Sequence, residues 1–171
     1  MTVINVFDLK FAKYEGRPLP SYFKYGEIDE ELVSFYNEDA KKYQNEKLTT
    51  VIDVFLDEKL VGYFAYTVSE IRKGEILAKH KLASFPHPCL KLGRLLVCGS
   101  MRKRGVGTAI LQHFAMTALK LSENVAIRYL TVDSKPGVVN FYKRFGFNDP
   151  GISRGVNKFL YIDLNKVPTL K

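Results

Sequence analysis

The stretch Leu95-Leu96-Val97-Cys98-Gly99-Ser100-Met101-Arg102-Lys103-Arg104-Gly105-Val106-Gly107-Thr108 has the residue types of an anion site. An apolar strand ends, a short basic turn follows, and a long helix begins. The first N–H groups of a helix have no partner within it, and its dipole adds positive potential there. Gly105 and Gly107 let the backbone come close to phosphate oxygens. Arg102, Lys103 and Arg104 add charge where a pyrophosphate would lie. The turn is not a P-loop, because no Gly-Lys-Ser/Thr follows the glycines. It is not a six-residue dinucleotide fingerprint either, and no acid follows at the expected distance on the next strand. On the turn alone, a glycine-bearing entry to a core helix is an equal reading.

A second segment adds to it. A strand over Tyr129–Val132 leads into Asp133-Ser134-Lys135-Pro136, and then Phe141-Tyr142-Lys143-Arg144-Phe145-Gly146-Phe147. Gly146 is placed as the residue just past a helix end, with Phe147 packing back. By itself this is an ordinary helix stop.

The elements that must position these segments follow from hydrophobic spacing. Val3–Leu9, Thr49–Leu56, Leu60–Ile71, Cys89–Cys98, Ala126–Val132 and Val156–Leu164 read as strands. Asp57-Glu58-Lys59 is a hairpin turn between the second and third. Asp29–Gln44 shows helical spacing at Leu32, Val33, Phe35, Tyr36, Ala40 and Tyr43, with Asp29 as the N-cap. Gly105–Leu121 is a long helix and Val138–Phe145 a short one. Tyr14–Gly26 reads as a loop, and Arg72–Pro88 is the most irregular stretch. The strand–helix–strand unit in the second half calls for some parallel pairing, and the front hairpin makes the sheet mixed. The chain reads as one α/β (α+β) domain over residues 1–171.

With 171 residues, 46% hydrophobic and 26% charged, the chain is composed like an average globular protein. No run of about 18 apolar residues is present, which excludes a transmembrane helix. The first residues lack the pattern of a signal peptide. Two cysteines, Cys89 and Cys98, make neither a disulfide framework nor a zinc site. They would face opposite sides of one strand, so no disulfide joins them and a reducing cytoplasm is expected. No metal site is expected. The net charge of +8 is uneven: residues 27–58 sum to −7 and residues 59–171 to +13. A basic second part suggests an anionic partner: a phosphorylated cofactor, a nucleic acid, or both.

Together the two segments resemble the GNAT family of N-acetyltransferases. Arg102-Lys103-Arg104-Gly105-Val106-Gly107 fits the family's Arg/Gln-x-x-Gly-x-Gly/Ala loop, and Phe141 to Gly146-Phe147 fits its FYxxxGF signature. The resemblance covers roughly residues 28–164. It implies a central mixed, mostly antiparallel sheet with a splayed parallel strand pair and flanking helices. It implies acetyl-CoA as co-substrate and no metal. Backbone groups of Leu95, Leu96 and Val97 would pair with the pantetheine arm, and amides from Arg102 to Thr108 would hold the pyrophosphate. The acceptor amine would attack the thioester directly. Tyr142 matches the family's general acid, a phenol protonated at neutral pH that can donate to the leaving sulfur.

Many relatives use a glutamate on a central strand as base. Cys89–Val97 holds Lys91 and Arg94 but no acid, and Glu70, Glu75, His80 and His87 read as solvated residues nearby. An α-amine with a pKa near 7.7–8 is partly neutral at pH 7 and needs no base. The missing acid therefore favours such an acceptor. Thr49-Thr50-Val51, Val61-Gly62-Tyr63-Phe64, Leu92 to Val97 and Val132-Asp133-Ser134-Lys135 are similar to the GNAT toxins of toxin–antitoxin pairs. Those acetylate aminoacyl-tRNA. That likeness implies tRNA and an antitoxin protein as partners, no membrane, and a homodimer. Lys79, Lys81, Lys91, Arg94, Arg128, Lys143, Arg144 and Arg154 could supply phosphate contacts, with Lys91, Arg94 and Arg144 the first substrate candidates. Cys98-Gly99-Ser100-Met101 departs from the usual Asp-containing turn. Competing readings are acetylation of a small amine, a peptide or a protein lysine, and a CoA-binding module without turnover.

Overall fold

The computed structural model describes residues 3–72, 74 and 86–167. Hydrogen bonding orders seven strands as β1 (Lys10–Lys13), β2 (Thr50–Leu56), β3 (Lys59–Ile71), β4 (His87–Val97), β5 (Tyr129–Ser134), β7 (Asn157–Asp163) and β6 (Ser153–Arg154). The sheet is mixed, and β4 with β5 is a parallel pair. The helices are α1 (Glu30–Ser34), α2 (Ala40–Asn45), α3 (Val106–Ser122) and α4 (Val139–Phe145). The chain divides into two units, Met1–Thr67 with Gly93–Phe114, and Val68–Leu92 with Ala115–Lys171. β3, β4 and α3 run through both.

In the first unit, β1 to β3 form an antiparallel meander. Asp57 and Glu58 both take positive φ, 47° and 60°, as a two-residue hairpin turn needs. One sheet face carries Val51, Tyr63 and Ala65, which pack with Phe35, Tyr36 and Ala40 from the helical segment and with Tyr14 and Phe23 from the loop before it. The first half of α3 buries Val106, Ala109, Ile110, Leu111 and Phe114.

In the second unit, the β4–β5 ladder runs from Cys89 opposite Tyr129 to Leu92 opposite Val132. β5 then pairs antiparallel with β7, and β7 with β6. Ile71, Cys89, Tyr129 and Phe159 form one apolar cluster. α4 ends at Gly146, whose φ of 117° is the left-handed value that favours glycine. Both cysteines are free and buried.

Three expectations shift. Val3–Leu9 is not a strand. Asn5 accepts the Phe7 N–H and Asp8 accepts the Asn5 N–H, both at 2.9 Å, which folds Val6–Asp8 into a 3-10 turn. The strand starts afterwards, at Lys10. The helix expected over 29–44 is split by a π turn at Phe35–Asp39, which lets both Phe35 and Tyr36 be buried. β5 begins three residues later than the apolar run and takes Asp133 and Ser134 into the sheet. The last expected strand, Val156–Leu164, is β7, and a short β6 just before it, which spacing did not show, pairs with it. Among the described residues no helix is long and apolar enough to cross a membrane.

Candidate acetyl-CoA and transfer site

The turn between β4 and α3 is held at both ends by distant chain. At its start, Gly99 N–H donates to Lys24 O at 2.6 Å, and Lys24 N–H donates to Cys98 Sγ at 3.3 Å. At its end, Ile4 N–H donates to Arg104 O at 2.8 Å. Gly105 has φ +96°, and a Cβ there would lie 2.3 Å from Ile4 O. No side chain fits that space, so glycine is required by the N-terminal segment as well as by any close ligand. The first α-helical bond, Ala109 N–H to Gly105 O at 2.9 Å, marks the helix start. The N–H groups of Val106, Gly107 and Thr108 belong to the first turn, which has no carbonyls behind it to accept them. Lys103, at φ +60°, is exposed at the tip, and Thr108 is exposed as well.

The three bases of the turn are not equivalent. Arg102 donates from Nη2 to Asp29 Oδ2 at 2.5 Å and from Nε to Val97 O at 3.2 Å. Arg104 is half-buried and its Nη1 lies 3.3 Å from Met101 Sδ. Among the described residues, Lys103 alone of the three extends from the tip without such a partner. The residues fit a pyrophosphate: first-turn amides, a positive-φ tip and surplus cationic charge. Leu95, Leu96 and Val97 close β4, and the Val97 carbonyl is the one that takes Arg102.

In the second unit, Tyr142 lies on α4 and is buried. Its ring meets Phe141 and Phe147 edge-on, at 5.1 and 5.6 Å between centroids. Phe147 N–H donates to Tyr142 O at 3.1 Å, so the helix stop at Gly146 holds the Tyr142 backbone directly. Burial pushes the phenol up to about 12. It therefore stays protonated through neutral pH and keeps its proton available to donate.

Residues 19–147 match the GNAT acetyltransferase family. The chain belongs to that family. GNAT enzymes are N-acetyltransferases that use acetyl-CoA, and this chain is one of them. No curated protein sequence matches it. Several solved structures share its fold. A tyrosine-to-phenylalanine variant of KacT gives a TM-score of 0.82 at 19% identity, covering 96% of this chain and 99% of that one. AtaT complexed with acetyl-methionyl-tRNAfMet gives 0.80 at 20% identity, over 94% and 97%. A bacterial toxin gives 0.80 at 15% identity, over 92% and 91%.

The bases singled out in this GNAT sequence fall into distinct settings. Lys91 Nζ meets Asp133 Oδ2 at 2.5 Å, and Arg154 Nη1 meets Asp133 Oδ1 at 3.4 Å, so two cations share one half-buried carboxylate. Arg154 also lies over the Phe159 ring, at 4.4 Å. Arg94 stacks on Phe35 at 3.6 Å. Arg128 pairs with Asp163. Lys143 and Arg144 follow Tyr142 on α4 and are exposed. Lys79 and Lys81 lie outside the described residues.

The acids settle differently as well. Glu70 pairs with Arg72, and His87 stacks on Tyr129 at 5.8 Å. Glu75 and His80 lie outside the described residues. Spacing gave no sign of two acids that the structure brings forward. Asp133 was placed after its strand and proves to be within it. Asp53 on β2 is buried, with Tyr36 OH donating to it at 2.8 Å, and burial pushes its carboxyl up to about 6. An acid flanked by Ile52 and Val54 in an alternating strand was the available signal. Among the described residues no group of His, Cys, Asp or Glu could hold a metal ion.

Proposed function

We propose that the chain acetylates the α-amine of aminoacyl-tRNA, with the site assigned as follows. The amides from Arg102 to Thr108, with Lys103 and Arg104, bind the pyrophosphate of acetyl-CoA. The backbone of Leu95, Leu96 and Val97 pairs with the pantetheine arm. The neutral amine attacks the thioester carbonyl carbon, a C–N bond forms and the C–S bond breaks. Tyr142 gives its proton to the departing sulfur, and the amine's surplus proton leaves to solvent.

The fold shared with AtaT, whose complex holds acetyl-methionyl-tRNAfMet, is the observation that carries the choice of acceptor. Two features of this chain agree with it. β4 holds no acid, which suits an amine already partly neutral at pH 7. The helix that carries Tyr142 presents Lys143 and Arg144 to solvent beside it, as a phosphate-rich acceptor would need. Lys91 and Arg94 remain acceptor-side candidates through their solvent-facing atoms. The same reading brings an antitoxin protein as partner and a homodimer as the working assembly.

Labelled acetyl-CoA with total charged tRNA, beside a panel of small amines and lysine peptides, tests the acceptor. The expected result is label on charged tRNA, lost when the tRNA is deacylated. Robust transfer to a small amine with none to charged tRNA would sink the tRNA assignment while keeping the enzyme class. Binding of tRNA should also weaken steeply with salt, about tenfold or more between 50 and 200 mM, because phosphate contacts release counterions. A salt-insensitive tRNA affinity would argue against phosphate recognition.

A further inference from the structure

Arg102 sits at the position that the pyrophosphate loop would use for charge, yet its guanidinium is already engaged on two sides. Nη2 meets Asp29 Oδ2 and Nε meets Val97 O. Asp29 is buried, with a side chain only 10% exposed, and the same Oδ2 accepts the Gly26 N–H at 2.9 Å. Asp29 was expected to cap α1. It stands at that position, but its carboxylate makes no cap bond to α1. It turns back to Gly26 and across to Arg102 instead. The neighbouring backbone follows the same path: Gly99 bonds Lys24, and Lys24 bonds Cys98. Segment 24–29 and turn 98–102 are therefore laced together by one backbone bond and one backbone-to-thiol bond, and an ion pair between buried Asp29 and the more exposed Arg102 closes the lacing.

We infer that Asp29 is a positioning residue for acetyl-CoA binding: it holds Arg102 as a strut that fixes the turn, so the pyrophosphate is bound by the amides that follow rather than by the Arg102 side chain. The physical case rests on what a guanidinium can do. Its planar fork fixes direction when two of its edges are held, here by a carboxylate and by the carbonyl that ends β4. Val97 and Arg102 bracket the turn, so the Nε bond sets its width. A buried carboxylate with a charged partner holds that geometry more strongly than a solvated one, because removal of Arg102 would strand Asp29 as an unpaired buried charge. Charge bookkeeping agrees: Asp29 offsets Arg102 and leaves Lys103 at the tip and Arg104 as the surplus cations.

The inference rests on the assignment of this turn to the pyrophosphate, and the test separates the two. Asp29→Asn keeps the size and the acceptor oxygen while removing the charge. Native enzyme, Asp29→Asn, Arg102→Gln and the double variant are each assayed with acetyl-CoA and with acetyl-pantetheine, which carries the thioester and the arm but no pyrophosphate. The native enzyme should strongly prefer acetyl-CoA. Equal use of both donors by the native enzyme would remove the pyrophosphate assignment itself. With that preference established, each single variant should raise KM for acetyl-CoA about tenfold with kcat little changed. The acetyl-CoA to acetyl-pantetheine ratio of kcat/KM should fall by a similar factor. The double variant should be no worse than the singles, because the strut is already lost. A penalty of equal size on both donors would show general loss of structure and overturn the inference. So would a KM for acetyl-CoA unmoved by Asp29→Asn. Additive penalties in the double variant would assign Arg102 to the phosphate directly, and overturn it too.

Discussion

Around the turn at 98–105 the hold comes from far along the chain, through Ile4, Lys24 and Asp29, whereas around Tyr142 it comes from within seven residues. In its proposed role the turn binds through backbone amides and has to be shaped. Its conformation depends on a carbonyl that blocks a side chain at Gly105 and on an ion pair that occupies Arg102. As the proposed proton donor, Tyr142 acts through one hydroxyl and has to be kept protonated. Phe141 and Phe147 meet its ring, the helix stop at Gly146 holds its backbone, and burial supplies the pKa shift. On the proposed assignment, a binding feature made of main chain thus depends on remote sequence, and a proton donor depends on local packing.

The largest expected effect separates the two regions by removing one oxygen. Tyr142→Phe keeps the ring and its contacts, so acetyl-CoA should bind as before while kcat falls about 10²- to 10³-fold, the usual range for a lost general acid. The native kcat should show no alkaline fall from this phenol until about pH 11, since ionisation lies near 12. A steady-state pH profile measures both. An alkaline limb centred near pH 9 that vanishes in Tyr142→Phe would give the phenol a much lower pKa and contradict the role of burial.

A smaller effect should come from Gly105→Ala. The new Cβ meets Ile4 O and takes a disfavoured φ, with a strain of about 1–3 kcal/mol. Acetyl-CoA affinity should drop about tenfold or more as the turn shifts, with a lowered Tm read by calorimetry. Unchanged affinity would mean that the amides tolerate a displaced N-terminal segment.

The smallest effect concerns Asp53, the buried acid that contrasts with Tyr142. Burial protects a neutral phenol but costs stability for a carboxylate that must ionise. Folded Asp53 titrates at about 6, against an ordinary 3.8. The folded state therefore binds more protons than the unfolded chain in this window. The contribution to stability is full below about pH 4 and is lost as pH rises through about 6. Native protein relative to Asp53→Asn should lose on the order of 2 kcal/mol from pH 4 to pH 7 in urea titrations. Parallel stability curves would show that Asp53 titrates normally.

Sequence made the two motifs more legible than the contacts that support them. The helix stop at Gly146 and the turn at Asp57-Glu58 depend on neighbours, and spacing placed them correctly. The glycine turn before α3 was equally visible. The role of Asp29 was not, because an acid before a helix reads as a cap and its partner lies 73 positions away. Val3–Leu9 misled for the opposite reason: partial alternation suggested a strand, while Asn5 and Asp8 bonded their own backbone and left Phe7 91% exposed. The π turn added one residue to a helical turn, which periodicity over sixteen residues averages away. Lys91 and Arg154 read as open phosphate contacts, and side-chain placement shows that they share Asp133.

The most direct test of the division between the two regions is acetyl-CoA binding by titration calorimetry beside turnover, for native protein, Tyr142→Phe and Gly105→Ala. The account predicts that Tyr142→Phe binds acetyl-CoA with native affinity and turns over at least about a hundredfold more slowly, while Gly105→Ala loses affinity first. A Tyr142→Phe enzyme that turns over like the native one, in conditions where chemistry limits the rate, would contradict it.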